Sequence, residues 1–217
     1  MRIILPVRSL SRFMKDIIKT ALKLVFRRGS FISYSQFGED AIVASLVRGR
    51  KDGVYVDVGA YHPHLYSNTY AFYRLGWRGL VIDPNPRLKR LFSIFRPRDT
   101  FVLGGVGQRG LRRYHMHEDG AYNGFSGQEI ASPLIGVRDV MVEPLGDILR
   151  RYHITRIDLL SIDTEGMEEE VLGTYDWAIL PDIIIIEGQQ DAPAAALLVE
   201  RGYTLAACSG LSLVFRR

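Results

Sequence analysis

A single cysteine, Cys208, is all the thiol chemistry that the 217 residues hold. An internal disulfide framework is therefore excluded, and a reducing compartment is the expected setting. No run of about 18 uncharged apolar residues occurs, so no segment reads as a membrane-spanning helix. The first residues also lack an unbroken apolar stretch followed by a small-residue cleavage site, which argues against secretion. The expected location is the cytoplasm, with any membrane contact peripheral and on the inner face. Repeats and low-complexity tracts are absent as well. What is present is 47% apolar and 24% charged residues, the balance of a globular protein and enough for one domain with a sizeable core without covalent staples.

The net charge of +4 is unevenly placed. Residues 1–29 carry Arg2, Arg8, Arg12, Lys15, Lys19, Lys23, Arg27 and Arg28 against Asp16 alone, while the remainder is slightly acidic. A nucleic-acid-coating role for the whole domain is thus not expected. Within the basic segment, Leu10, Phe13, Met14, Ile17, Ile18, Ala21, Leu22 and Val25 follow steps of three and four. They predict one apolar stripe along an amphipathic helix, with the cations opposite. Such a helix either packs its stripe on protein or lies on an anionic membrane through residues 8–28. The chain therefore divides into a basic helical segment, 1–29, and a domain, 30–217.

In the domain, short β-like runs alternate with helical patterns, the mark of a layered α/β sheet. Parallel strands are predicted at 54–58, 79–82, 100–106, 157–162 and 182–186. Helices are predicted at 37–47, 67–75 (from a Ser67 cap), 87–95, 145–152, from 167, and at 192–201. Residues 107–143 interrupt the alternation and read as a hairpin and insertion, the expected substrate region. Two last runs, 203–207 and 211–215, are separated by Ser209-Gly210 and form a hairpin. That hairpin adds an antiparallel strand to a doubly wound, otherwise parallel sheet. This is the outline of a class I methyltransferase, Rossmann-like fold.

Ligands of open parallel sheets bind beyond the carboxyl ends of the strands. Four of these strands end in polar or glycine-rich residues: Asp57-Val-Gly-Ala60, Asp83-Pro-Asn85, Asp163-Thr-Glu-Gly166 and Glu187-Gly188. A carboxylate at the tip of an apolar strand is costly to desolvate without a partner, so the set points to a polar ligand. Asp83 stands about 20 residues beyond the first glycine turn, where an acid accepts both hydroxyls of a ribose. After Gly59, however, the chain continues Ala-Tyr-His-Pro-His, not G-x-G-x-x-G. No pyrophosphate cradle is formed there, which disfavours a dinucleotide and leaves room for a nucleoside without phosphates, such as S-adenosylmethionine.

Ser35-Gln-Phe-Gly-Glu-Asp40, Tyr55-Val-Asp-Val-Gly-Ala-Tyr-His-Pro63, Tyr66-Ser-Asn-Thr69, Gly76-Trp-Arg-Gly79, Ile82-Asp-Pro-Asn85 and Ile157-Asp-Leu-Leu-Ser-Ile-Asp-Thr-Glu-Gly166 stand in one order between Ser35 and Glu187. In these segments the chain resembles the FkbM-type methyltransferase family. The resemblance implies S-adenosylmethionine as donor and O-methylation of a hydroxyl on a sugar, glycan or other natural product. It implies that Asp57, Gly59 and Ala60 line the methionine end of the donor and that Asp83 holds its ribose. It also places Asn85 and Val106 beside the adenine, with Gln36, Glu39, Ser67, Asn68 and Thr69 closing the pocket. Gln36, Glu39, Asn68 and Thr69 read equally as helix-start and capping residues.

A hydroxyl nucleophile needs a base or a metal. Asp163, Glu165 and His62 are the candidate bases, Asp163 first. His115, His117 and Glu118 imitate a metal cluster but read better as a hairpin surface pair. Asp163 and Glu187, at adjacent strand ends, offer oxygen ligands to Mg²⁺, with no third ligand evident. Two rivals stand beside the methyltransferase reading. One is a nicotinamide-dependent oxidoreductase, disfavoured by the missing fingerprint. The other is a non-catalytic membrane-surface module, disfavoured by the intact acidic set.

Overall fold

A computed structural model of the chain describes residues 31–125 and 131–217. The amphipathic helix predicted within residues 1–29 lies outside them. Strands β1 (Val54–Val58), β2 (Arg78–Asp83) and β3 (Thr100–Leu103) are separated by helices α2 (Tyr70–Arg74) and α3 (Pro86–Phe95), and α1 (Glu39–Leu46) precedes them. A three-stranded insertion follows, built from β4 (Gly105–Val106), β5 (Gly110–His117) and β6 (Leu134–Glu143). The remainder runs α4 (Leu145–Arg151), β7 (Leu159–Ile162), α5 (Glu168–Gly173), β8 (Ile183–Glu187), α6 (Pro193–Glu200), β9 (Thr204–Ser209) and β10 (Ser212–Arg216).

The main sheet has the order β3-β2-β1-β7-β8-β10-β9. All pairs from β3 to β8 are parallel, and β10 enters antiparallel to both β8 and β9. This is the doubly wound, mostly parallel class I methyltransferase-like architecture that the alternation predicts. Ile183 to Ile186 show why such strands read as unbroken apolar runs: all four are buried, and successive side chains serve opposite faces. Ile184 and Ile186 pack with Leu149, Leu172 and Leu198 from α4, α5 and α6. Ile183 and Ile185 pack with Val43, Phe72 and Phe92 from α1, α2 and α3.

Two expectations are corrected. The single strand predicted over 100–106 breaks at Gly104, and Gly105 and Val106 leave the main sheet to pair with Val142 and Glu143. A side chain could not make that crossing, because a Cβ on Gly105 would sit 2.7 Å from the Phe125 ring and 2.9 Å from Val142. Helix α2 also begins three residues later than predicted. Ser67 still acts at its start, since its hydroxyl accepts the N–H of Tyr70 at 3.1 Å.

Beneath the carboxyl edge of the sheet lies a charge removed from water. Arg96, just past the end of α3, is 0% exposed. Its Nε donates to Asp99 Oδ2 at 2.6 Å, Nη1 to the Pro63 carbonyl and Ser67 Oγ at 3.3 Å, and Nη2 to Thr69 Oγ1 at 3.0 Å. Thr69 in turn donates to Asp57. Rings of Tyr55, Tyr73 and Phe92 surround the guanidinium at 5.0–5.5 Å. Asp99 also receives the Tyr55 hydroxyl and the Gly79 N–H. Burial raises the pKa of Asp57, and Arg96 and the Thr69 hydroxyl pull the other way.

Removing one partner of a buried ionic set strands the others, so Arg96→Met should cost about 3–5 kcal/mol of unfolding free energy in urea. Arg90→Met, on the exposed side of α3, should stay within about 0.5 kcal/mol. Equal effects of the two substitutions would refute this account of the network.

Candidate active site

The order of strands reverses between β1 and β7, and a cleft opens at their carboxyl ends, as expected for such a switch point. Gly59 follows β1 with φ +80°, and a Cβ there would lie 1.7 Å from the Asp163 carbonyl oxygen. The turn after β1 and the end of β7 therefore touch backbone to backbone. No residue but glycine fits at this point.

Asp83 ends β2 and is 5% exposed on the cleft wall. Asn85 N–H donates to its Oδ1 at 2.7 Å, and the N–H groups of Tyr61 and Ala60 also stand against the carboxyl. Burial pushes its pKa to about 7 despite those donors. Opposite it, Asp163 ends β7, Glu187 ends β8, and Glu165 occupies the intervening turn at φ +53°. Carboxylate oxygens of all three lie within 4.8 Å of one another. So close together they cannot all ionise cheaply. The Asp163–Glu187 pair is raised above the ordinary carboxylate range by burial and, for Asp163, by the neighbouring acids. Glu165 is pushed to about 7, burial leading and Glu187 second. A shared proton relieves this crowding, and so would a divalent cation. Glu165, singled out from the sequence only as a candidate base, stands where a third oxygen ligand would be needed.

Residues 57–205, well over half of the chain, match the methyltransferase FkbM domain. The chain belongs to the FkbM methyltransferase family. No curated protein matches it. Among solved structures it is similar to precorrin-6y C5,15-methyltransferase of Geobacter metallireducens, at 16% identity over 81% of this chain and 84% of that one, with a TM-score of 0.42. It is also similar to precorrin 8w decarboxylase of Methanobacterium thermoautotrophicum, at 14% identity over 86% and 92%, TM-score 0.47. A third is 1,6-didemethyltoxoflavin-N1-methyltransferase of Burkholderia thailandensis with bound S-adenosylhomocysteine, at 12% identity over 99% and 93%, TM-score 0.45. These are distant likenesses, and membership of the family rests on the domain match alone.

Of the residues singled out from the sequence, Gln36, Glu39, Gly59, Asn68, Asp83, Asn85, Val106, Asp163 and Glu165 line this FkbM cleft. Asp57, Ala60, Ser67, Thr69 and His62 do not. Asp57, Ser67 and Thr69 belong instead to the Arg96 network below it. Ala60 packs into the core on that same side. The His62 Nδ1 accepts the N–H groups of His64 and Leu65 at 3.2 and 3.1 Å, so the ring shapes its own loop. Its pKa is lowered, first by burial and then by His64. Glu39, 2% exposed, accepts the Phe37 N–H, and Asn68 donates to Ser161.

The expected surface pair His115 and His117 is corrected. A bulge between Met116 and His117 breaks the two-residue period, and His117 is buried with Nδ1 2.8 Å from the Ser132 carbonyl. Several cleft residues were not found from the sequence: Tyr61, Tyr66, Tyr114, Phe125 and Met167. Tyr61 and Tyr66 both sit at positive φ and stack at 6.2 Å. Tyr114 reaches the cleft from β5, close enough to Asp83 and Glu165 for their charges to act on its hydroxyl.

Acids raised in the folded chain bind more protons folded than unfolded from about pH 4 upward, so stability must fall as pH rises. Asp83 and Glu165, each raised from near 4 to about 7, place the loss chiefly between about pH 4 and 7. The melting temperature should drop across that window, and Glu165→Gln should flatten the drop. A melting temperature that rises through the window would contradict the assignment.

Proposed function

We propose that this FkbM-family protein is an S-adenosylmethionine-dependent O-methyltransferase acting on a hydroxyl of a sugar, glycan or other natural product. The carrying observation is a buried carboxylate, Asp83, on one wall of a glycine-gated cleft whose other wall is the three-acid cluster. The residues present suit the donor. Asp83 retains lone pairs for two ribose hydroxyls, and Gly59 leaves the space that a Cβ would fill. Gly104, Gly105 and Val106 offer a low floor beside Asn85 for a flat base. When bound, S-adenosylmethionine supplies an electrophilic methyl group and its own leaving group.

The chain's part is then to orient the acceptor hydroxyl and take up its proton. Asp163 is assigned as base. Its pKa, raised beside Glu187, brings it nearer to a hydroxyl than an ordinary carboxylate would be. Glu165 orients the acceptor from the facing turn. His62 is not in the cleft wall, and the base role passes to the acids. The insertion, through Tyr114, Asn123 and Phe125, contributes acceptor selectivity. The cytoplasmic setting, and contact of residues 8–28 with anionic lipid, belong to the same proposal.

Calorimetry with S-adenosylhomocysteine should show binding to the wild type that Asp83→Ala abolishes. Asp163→Asn should keep that binding while turnover falls roughly a hundredfold or more. Absence of donor binding to folded wild type would end the proposal. A donor-competent Asp163→Asn of undiminished rate would remove only the base. Activity undiminished in excess EDTA would exclude Mg²⁺ at Asp163, Glu165 and Glu187.

A further inference from the structure

Between residues 61 and 98 the chain carries seven Lys or Arg and a single acid, Asp83, which is buried in the cleft. Arg96 is internal, and the others are at the surface. On α3, Arg87, Lys89 and Arg90 have no carboxylate within 4 Å among the described residues, whereas Arg109, Arg112, Arg150 and Arg151 each do. The helix also has no acid in its first turn. Arg87 and Lys89 therefore fall in the first turn, where the helix's own dipole is positive, a placement that helix stability opposes.

Beside these cations stand apolar groups that no described residue covers. Ile94 is 59% exposed, between Arg87 and Arg90 around the helix axis, and Phe95, about 100° further round, is 54% exposed because it ends the helix. Leu65, 51% exposed, follows His64 in the chain, and the His64 ring lies 6.3 Å from that of Phe95. Leu88 and Phe92 hold the opposite side of α3 in the core, so this face is presented rigidly. Leu65 also belongs to the loop that carries Tyr61 and Tyr66 into the cleft.

We propose that the outward face of α3, with Leu65, seats on an anionic phospholipid bilayer. Unpaired cations meet lipid phosphates, while Ile94 and Phe95 enter the boundary between headgroups and acyl chains. Exposed aliphatic and aromatic groups among the cations fit a bilayer and gain nothing on a nucleic-acid backbone. The surface is distinct from residues 1–29, and its occupation does not depend on the reaction in the cleft.

The test is co-sedimentation of the full chain with vesicles of phosphatidylcholine, alone or with about a third phosphatidylglycerol. The wild type should partition to the anionic vesicles and lose that preference as salt rises. Replacing Arg87, Lys89 and Arg90 together by Gln should lower partition roughly a hundredfold with the melting temperature kept. Arg87→Lys with Arg90→Lys should leave it intact, because the bilayer reads charge. Ile94→Asn should lower partition roughly tenfold even where salt screens the cations. Wild-type partition by the triple Gln variant would overturn the proposal, since the attraction would then reside outside α3. So would equal binding to neutral vesicles, or tighter retention on single-stranded RNA than on the anionic vesicles.

Discussion

The guanidinium of Arg96 is the point from which the cleft is held. A cation with no exposed surface is tolerable only because a carboxylate, a carbonyl, two hydroxyls and three aromatic rings replace its water. Those partners come from separate parts of the chain. Asp99 precedes β3 and pins Tyr55 of β1 and Gly79 of β2, while Pro63, Ser67 and Thr69 belong to the loop that carries Tyr61, Tyr66 and Asn68 into the cleft. The loop is thereby fastened to the sheet from below. Residues above it face the cleft with their backbone already fixed, which is what alignment of two reactants would require.

Much of this was legible, and the reasons are local. Val54–Val58 and Ile183–Glu187 announce themselves as strands because burial on both faces demands unbroken apolar sequence. Asp83, Asp163 and Glu187 could be placed at the carboxyl edge because they terminate such runs. What escaped depends on neighbours remote in sequence. Asp57 stands one residue short of its strand's end, and it accepts from Thr69 in the Arg96 network, a direction that only the packed structure shows. The break at Gly104 is invisible until Phe125 is seen filling the space beside Gly105. Even the string Gly105-Val-Gly-Gln-Arg-Gly110 spells a dinucleotide fingerprint while joining strand to strand. Without a following helix it has no N-terminus to offer a phosphate.

The chemistry assigned to the cleft is economical in what it asks of the protein. Methyl transfer from a sulfonium needs neither a covalent enzyme nucleophile nor a phosphate site. A carboxylate-rich edge suits a cationic donor and a proton-releasing acceptor together. The insertion of β4, β5 and β6 adds Tyr114 and Phe125 to this edge without disturbing the parallel strands below. One scaffold can thus keep its donor machinery while the hairpin above it varies.

The reversal of strand order also governs how the site comes into being. Tyr55 of β1 pairs with Leu159 of β7, so the two banks of the cleft are about a hundred residues apart along the chain. The whole insertion lies within the loop that this pairing closes. Gly59 and Asp83 share the local β1–β2 unit, whereas closing the long loop to β7 costs more chain entropy. Contacts across the cleft are therefore among the most non-local of the domain, and the bank carrying Asp163 and Glu187 joins the other only across that long loop.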